Sequence, residues 1–516
     1  MVLAIIFLVI FLGLTGFGIY RSVSLTKTPM LNLDYKKFFI YQGALIIGSA
    51  IALLVASFGF YQWLNAVPDV LHVIQLVVGA LLWIISLLAS INCFIIHYYG
   101  RNLPTELDKW LFRTIIIGGV LSVIFFFVWT NGLAPYLTYP LINGINFKEG
   151  LVTPSSGVSP NLAFYALCIL GGAIIVYFVC DHFMYKKYGR HGTLESTFIV
   201  AFPAGILGAR IWYVVGNWAK EFDYGRAMAY LGEMKVWAPL AIWNGGLTIL
   251  GGAIMGIVVG VAWYLWRNKT MSIWYAVDMI VPTILIAQAV GRWGNFFNCE
   301  VHGLEVSGEY FKWLPEIIYR NAQYSSTSGW ASEGHIYVPL FFIECFTNLF
   351  GYFLIAHVFG KLLGKHNEPG DLCFGYVIWY GLTRVLMEPL RSADFQMGQD
   401  GYWSWVWSMI FVFVGTLLIV ANHIIRRILK NKKKEPVNSN QQIGLISTII
   451  IVIVGGALLI SGALLMANNQ FNPVVTYNSF NVGLIILVLG CSILLTLGIS
   501  LPILFDSFKA KEAFNE

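Results

Sequence analysis

The residues best able to do chemistry fall in two short stretches. The first runs from Gly291 to Gly303, Gly-Arg-Trp-Gly-Asn-Phe-Phe-Asn-Cys-Glu-Val-His-Gly. Arg292 and Asn295 are three apart and share a face if the segment is helical. A guanidinium fork beside an amide is a natural cradle for a phosphate. Gly291 and Gly294 carry no side chain, so another backbone or a lipid headgroup can come close. The blander alternative is an arginine snorkelling to the headgroups beside glycines that pack helices. The second stretch, residues 380–394, places Tyr380, Arg384, Glu388 and Arg391 at i, i+4, i+8 and i+11. On one helix these form a single stripe, bent by Pro389. Two guanidinium groups with a carboxylate between them can pair one charge and leave another for a ligand. The alternative is a structural ladder of ion pairs against a neighbouring helix.

Weaker signals surround these. Residues 243–256 hold two Gly-Gly pairs six apart, including Gly251 beside Leu250 and following Asn244. Close helix packing is enough to explain them. Arg210 is a lone basic residue in a long apolar run, and Tyr165 a lone tyrosine in another. Seven cysteines lie mostly within apolar runs, with no Cys-x-x-Cys spacing. Neither a disulfide framework nor a zinc site is expected, and no cofactor is implied.

The elements that must position these residues are membrane helices. Of 516 residues, 58% are apolar and 11% charged, against roughly 25% charged in a soluble domain. The mean hydropathy is +0.72. A soluble enzyme and a disordered scaffold are both excluded. The net charge of +6 does not point to nucleic acid, because the basic residues sit in short loops where they orient helices.

The sequence therefore predicts an all-α polytopic membrane protein with thirteen spans. These are 2–20, 38–62, 71–97, 112–132, 161–184, 195–216, 239–265, 274–296, 337–360, 373–390, 403–425, 443–467 and 481–505. Four regions follow: a four-helix stretch over 1–132, a Pro/Gly/Ser-rich linker over 133–157, a seven-helix core over 158–430, and a two-helix stretch over 431–516. The opening apolar run lacks a small-residue cleavage site and is expected to be a retained anchor. Lys and Arg concentrate in alternate loops, from Arg21 and Lys27 after the first span to the Arg426–Lys434 run after the eleventh. That alternation puts the N-terminus outside and the C-terminus in the cytoplasm. Ionisable groups at membrane depth cost about 2.5–3.5 kcal/mol each by insertion scales. They gather in the core, as Arg210, Asp278, Arg292, Glu300, Glu344, Arg384, Glu388 and Arg391. The flanking regions have almost none.

Taken in order, these stretches resemble the prolipoprotein diacylglyceryl transferases over about residues 158–430. The family signature Gly-Arg-x-Gly-Asn-Phe-x-Asn-x-Glu-x-x-Gly is matched at every fixed position from Gly291 to Gly303. The resemblance implies a seven-helix core with an outside N-terminus in a bacterial plasma membrane. It also implies transfer of a diacylglyceryl group from phosphatidylglycerol to the lipobox cysteine of a preprolipoprotein. A thioether forms and glycerol 1-phosphate leaves. It places Arg292 and Arg384 on the phosphate, with Glu300 and Tyr380 beside them in the catalytic set. Asn295, Gly303, Arg210, Tyr165, Asn244, Gly251, Glu388 and Arg391 would bind or shape the site for substrate. Glu388 could hold Arg384 or Arg391 in place.

Two positions depart from the family pattern. Leu250 stands where many members carry a histidine proposed to activate the thiol, and Val338-Pro339 replaces the usual His-Pro pair. No general base is thereby assigned. His302 is a stand-in, although a solvated loop histidine is the expected reading. The thiol could instead ionise in the positive field without a dedicated base. Two other functions fit the same residues: a transporter or flippase for an anionic lipid, and a catalytically lapsed, lipoprotein-binding relative.

Overall fold

The computed structural model describes residues 2–26, 35–63, 69–100, 103–141, 144–146, 150–152, 161–189, 191–221, 228–231, 234–237, 242, 246–267, 272–360, 367–392, 402–433, 441–469 and 476–505. Within them lie thirteen long helices. These are α1 (Val2–Thr26), α2 (Tyr35–Trp63), α3 (Val70–Tyr99), α4 (Thr105–Leu133), α5 (Phe164–Tyr188), α6 (Glu195–Glu221), α7 (Ile249–Arg267), α8 (Ile273–Asn298), α9 (Leu340–Tyr352), α10 (Asp371–Met387), α11 (Tyr402–Lys432), α12 (Gln441–Ala467) and α13 (Ser479–Leu495). The strands are two to four residues long, so the protein is all-helical in architecture.

Among the described residues eleven helices are long and apolar enough to cross a membrane. The other two stand where spans are expected but are shorter. Helix α7 starts at Ile249 rather than at 239, just after a turn in which Gly246 takes a φ of 63°. Helix α10 has 17 residues and ends at Met387. Pro389 cannot donate a backbone hydrogen bond, and the chain tightens into a 3₁₀ turn over Glu388–Leu390. Helix α9 continues to Phe359 in π-helical turns.

The chain forms two compact units. One comprises Met1–Leu141 with Ser307–Gln323. Within it α3 and α4 pack closely, because a side chain at Gly79 would meet the Trp129 backbone 2.3 Å away. A neutral polar layer joins three of its helices. The Asn92 side-chain oxygen accepts from Ser22 at 2.6 Å and from Gln42 at 2.8 Å, and Gln42 also donates to the Gly18 carbonyl. Ser307–Gln323 is tied to α4 and the chain after it. Glu316 N donates to the Asn131 side chain, and Leu141 N to that of Asn321, both at 2.9 Å.

The second unit comprises Ile142–Val306 and Tyr324–Glu516. Its helices pair through small residues. Gly208 of α6 faces the Gly251 carbonyl of α7 so closely that an added methyl would lie 2.6 Å from it. Gly172 of α5 abuts Ala287 of α8 in the same way, and Gly381 of α10 meets the Ser408 carbonyl of α11. In lipid, where no hydrophobic force separates helix from tail, this close fit is what drives association.

Candidate active site

The signature ends α8. Arg292 and Asn295 occupy its last turns, with the Arg292 Nη1 to Asn295 Oδ1 distance at 3.4 Å. Cys299 then turns left-handed, at a φ of 51°, and closes the helix. Val301 is also left-handed, with a φ of 54°, an unusual conformation for a β-branched residue. Glu300 is held between these two residues. Its Oε1 accepts from the side chains of Asn295 at 3.1 Å and Asn298 at 3.0 Å. Gly294 has to be glycine, since a Cβ there would sit 2.2 Å from the Tyr165 ring of α5. Gly303 is a backbone joint. Its N donates to the Val338 carbonyl at 2.8 Å, it bridges Arg391, and a Cβ would meet the Leu390 carbonyl oxygen 2.7 Å away.

From Arg292 an alternating chain of charges runs through four elements. Arg292 Nε is 2.7 Å from Glu344 Oε2 on α9. Glu344 Oε1 is 3.0 Å from Arg391 Nη2. Glu388 Oε2 lies 3.7 Å from Arg391 Nε and 2.7 Å from Arg384 Nη2 on α10. Arg384 Nη2 also donates to Ser404 Oγ on α11 at 3.1 Å. Glu388 is fully buried, and Glu344 and Arg391 nearly so. Arg292, at 23% side-chain exposure, is the most open member. The chain has three guanidinium groups against two carboxylates, with a cation at each end. Glu300 stands one amide removed at the Arg292 end.

The structure thus brings Arg292, Asn295, Glu300, Arg384, Glu388 and Arg391 together. The stripe expected along one helix breaks, however. Helix α10 ends at Met387 and Arg391 is extended, because Pro389 interrupts the ladder. Glu344 links Arg292 to Arg391, and its signal in the sequence is a lone carboxylate at membrane depth. Asn298 is marked only as a fixed position of the signature, and Ser404 carries no signal, since uncharged polar residues at helix ends are common.

The remaining candidates are not links in this chain. Tyr165 packs on Gly294. The Tyr380 ring lies between Tyr376, at 6.2 Å, and Phe411, at 6.1 Å. Arg210 donates to the Gly246 carbonyl at 3.2 Å and lies over the Tyr213 ring, fixing the turn that precedes α7. Gly251 serves the contact with α6. Asn244 is outside the described residues. Asp278 accepts the backbone N–H groups of Gly370 at 2.6 Å and Cys373 at 3.0 Å, so it caps the first turn of α10.

His302 is not a solvated loop histidine but is buried. Its Nδ1 donates to the Gly303 carbonyl at 2.9 Å. Its Nε2 is 2.6 Å from Ser325 Oγ, which also accepts backbone N–H groups from Thr327 and Ser328 and lies 3.0 Å from Thr327 Oγ1.

A family model described as prolipoprotein diacylglyceryl transferase matches residues 158–421. A phosphatidylglycerol–prolipoprotein diacylglyceryl transferase of Streptococcus suis strain 05ZYH33 is 31% identical over 259 residues, covering 50% of this chain and 87% of that protein. One of Streptococcus pyogenes serotype M3 is 30% identical over 279 residues, covering 54% and 94%.

Proposed function

The chain belongs to the prolipoprotein diacylglyceryl transferase family, and from that premise we propose that it moves the diacylglyceryl group of phosphatidylglycerol onto the lipobox cysteine of a preprolipoprotein. The observation that carries this reading is the buried chain Arg292–Glu344–Arg391–Glu388–Arg384. In the reaction the cysteine thiolate attacks the glyceryl carbon that bears the phosphate. A C–S bond forms, the C–O bond breaks, and its electron pair leaves with glycerol 1-phosphate. The phosphate goes from one negative charge to two, and fixed guanidinium groups in a water-poor site stabilise what develops.

Arg292 and Arg384 end the chain and are the members with capacity left for the phosphate. Glu344, Glu388 and Arg391 hold their orientation. Asn295 and Glu300 complete the Arg292 end. His302 has both ring nitrogens engaged within the loop, which supports a positioning part and not a proton acceptor. The thiol would then give its proton to water, its pKa lowered by the positive field of the guanidinium groups. The loop charges favour a plasma-membrane protein with the N-terminus outside and the site in the outer leaflet. Residues 1–132 and 431–516 are accessory to the core over 158–430.

The test is transfer from phosphatidylglycerol labelled in its diacylglyceryl part to a lipobox peptide, by the purified full chain. Labelled peptide with matching glycerol 1-phosphate release is the expected result. Lipid movement without bond cleavage would favour a flippase, and peptide binding without transfer a lapsed relative.

A further inference from the structure

Helices α12 and α13 lie beyond the matched family region, which ends at residue 421. We propose that this C-terminal hairpin is a brace that fixes Arg384, with Tyr477 as its positioning residue. The inference rests on the phosphate-binding part given to Arg384 above.

Three sets of contacts carry it. Helix α10 stops three residues after Arg384, and terminal carbonyls of a helix need outside donors. The Tyr477 hydroxyl donates to one of them, the carbonyl of Leu386. Tyr477 is itself held in a capped turn. Asn478 caps α13 by accepting from Asn481 N at 2.8 Å, and the buried Asn481 side chain donates back to the Thr476 carbonyl at 2.9 Å. Beside this, Val385 packs in one buried cluster with Trp405 and Met409 of α11 and Ile485 of α13. Val385 is the residue after Arg384, and Trp405 is the residue after Ser404, the hydroxyl that Arg384 reaches. Both neighbours of that hydrogen bond therefore seat on the hairpin. At the far end Arg427 Nη2 donates to the Pro502 carbonyl at 2.7 Å, and Gly498 faces Val420. The hairpin is thus bolted to α11 at both ends.

The geometric consequence is specific. Pro389 breaks α10 where Glu388 and Arg391 must swing into the charge chain, and a helix end without support would fray there. A donor from α13 holds the last carbonyls while the apolar cluster holds the face behind Arg384. A helix pair added only for anchoring needs neither contact.

The experiment compares the full chain with Tyr477→Phe, Ile485→Ala and Ser404→Ala, and with the Tyr477→Phe/Ser404→Ala pair. Readouts are thermal unfolding, and kcat and KM for the lipobox peptide in vesicles containing phosphatidylglycerol. Losing one neutral hydrogen bond predicts about a three- to tenfold fall in kcat for Tyr477→Phe, with KM unchanged and only a small fall in unfolding temperature. Because Ser404 and Tyr477 act on the same arginine, the double variant should lose less than the product of the two single effects. Wild-type kcat in Tyr477→Phe, or a lowered unfolding temperature with both constants intact, would overturn the brace. Absence of transfer by the wild type overturns the functional reading itself, so the two failures are distinct. Should Ile485→Ala fail to fold, Tyr477→Phe decides alone.

Discussion

Replacing Glu344 by Gln tests the charge chain at the link between Arg292 and Arg391. Both carboxylate oxygens are committed, Oε2 to Arg292 at 2.7 Å and Oε1 to Arg391 at 3.0 Å. At an effective dielectric of about 20 each attraction is about 6 kcal/mol, much of it offset by the desolvation of buried ions. Removing one partner from such a buried arrangement costs about 3–5 kcal/mol, because two guanidinium groups are left facing an amide. Two accounts of Glu344 then part. If it merely dampens the positive field, neutralising it should tighten phosphatidylglycerol binding and spare turnover. If it orients Arg292 and Arg391, turnover should fall by about 10²–10³, the loss seen when one positioned donor is removed from a charge-stabilising site. The second outcome is expected, together with a lowered unfolding temperature and no gain in lipid affinity. Glu344→Asp, which keeps the charge but shortens the reach, should retain part of the rate. The assay is initial-rate transfer to a lipobox peptide beside lipid binding to the same preparation. Full turnover with tighter lipid binding in Glu344→Gln would refute the orienting role.

Four further outcomes are expected. Arg292→Ala and Arg384→Ala should each abolish lipidation in protein that still reaches the membrane, measured by peptide lipidation normalised to the protein blotted in the membrane fraction. Gly294→Ala forces a methyl to within 2.2 Å of the Tyr165 ring. Such overpacking costs about 1–3 kcal/mol, to be read as a lower unfolding temperature and slower transfer. His302→Ala should slow transfer but keep the shape of its pH–rate profile, since no proton-accepting limb is removed. Loss of the acid limb would restore His302 as a base. Glu305 is held below the ordinary carboxylate range mainly by hydrogen bonds from Ser332. The sign follows: that support is present at neutral pH and is lost as pH falls through the depressed value. Hydrogen exchange at Ser332, whose N–H donates to Glu305 at 2.8 Å, should be slow at neutral pH, and faster in Glu305→Gln.

Much of this molecule was legible before any coordinates. Hydropathy located the thirteen long helices of the described residues, eleven of them long and apolar enough to cross a membrane, because a span in lipid has to satisfy every backbone group within itself and so writes a long apolar run into the chain. The expense of charge at membrane depth made the arginines and glutamates stand out. Arg292 and Asn295 are close in sequence, and helical spacing puts them on one face, where they lie 3.4 Å apart. The spacing from Tyr380 to Arg391 predicts one helical stripe bent at Pro389, whereas the helix ends at Met387 and Arg391 is extended. A proline shows that a helix bends or stops, but not where the chain goes next.

What the sequence by itself determined is the class of the protein, the rows of residues that could bind a phosphate, and the family pattern that gives them meaning. Tertiary structure alone decided which charges meet. Glu344 on α9 lies between Arg292 on α8 and Arg391 beyond α10, although 52 residues separate it from the first and 47 from the second. It also decided that His302 is a buried pin and Asp278 a helix cap. It put Tyr477, from outside the matched region, on the helix that carries Arg384. The physical reason is one of range. Hydropathy and helical period act over a few turns, whereas an ion pair in lipid is set by helix packing, which no local pattern records.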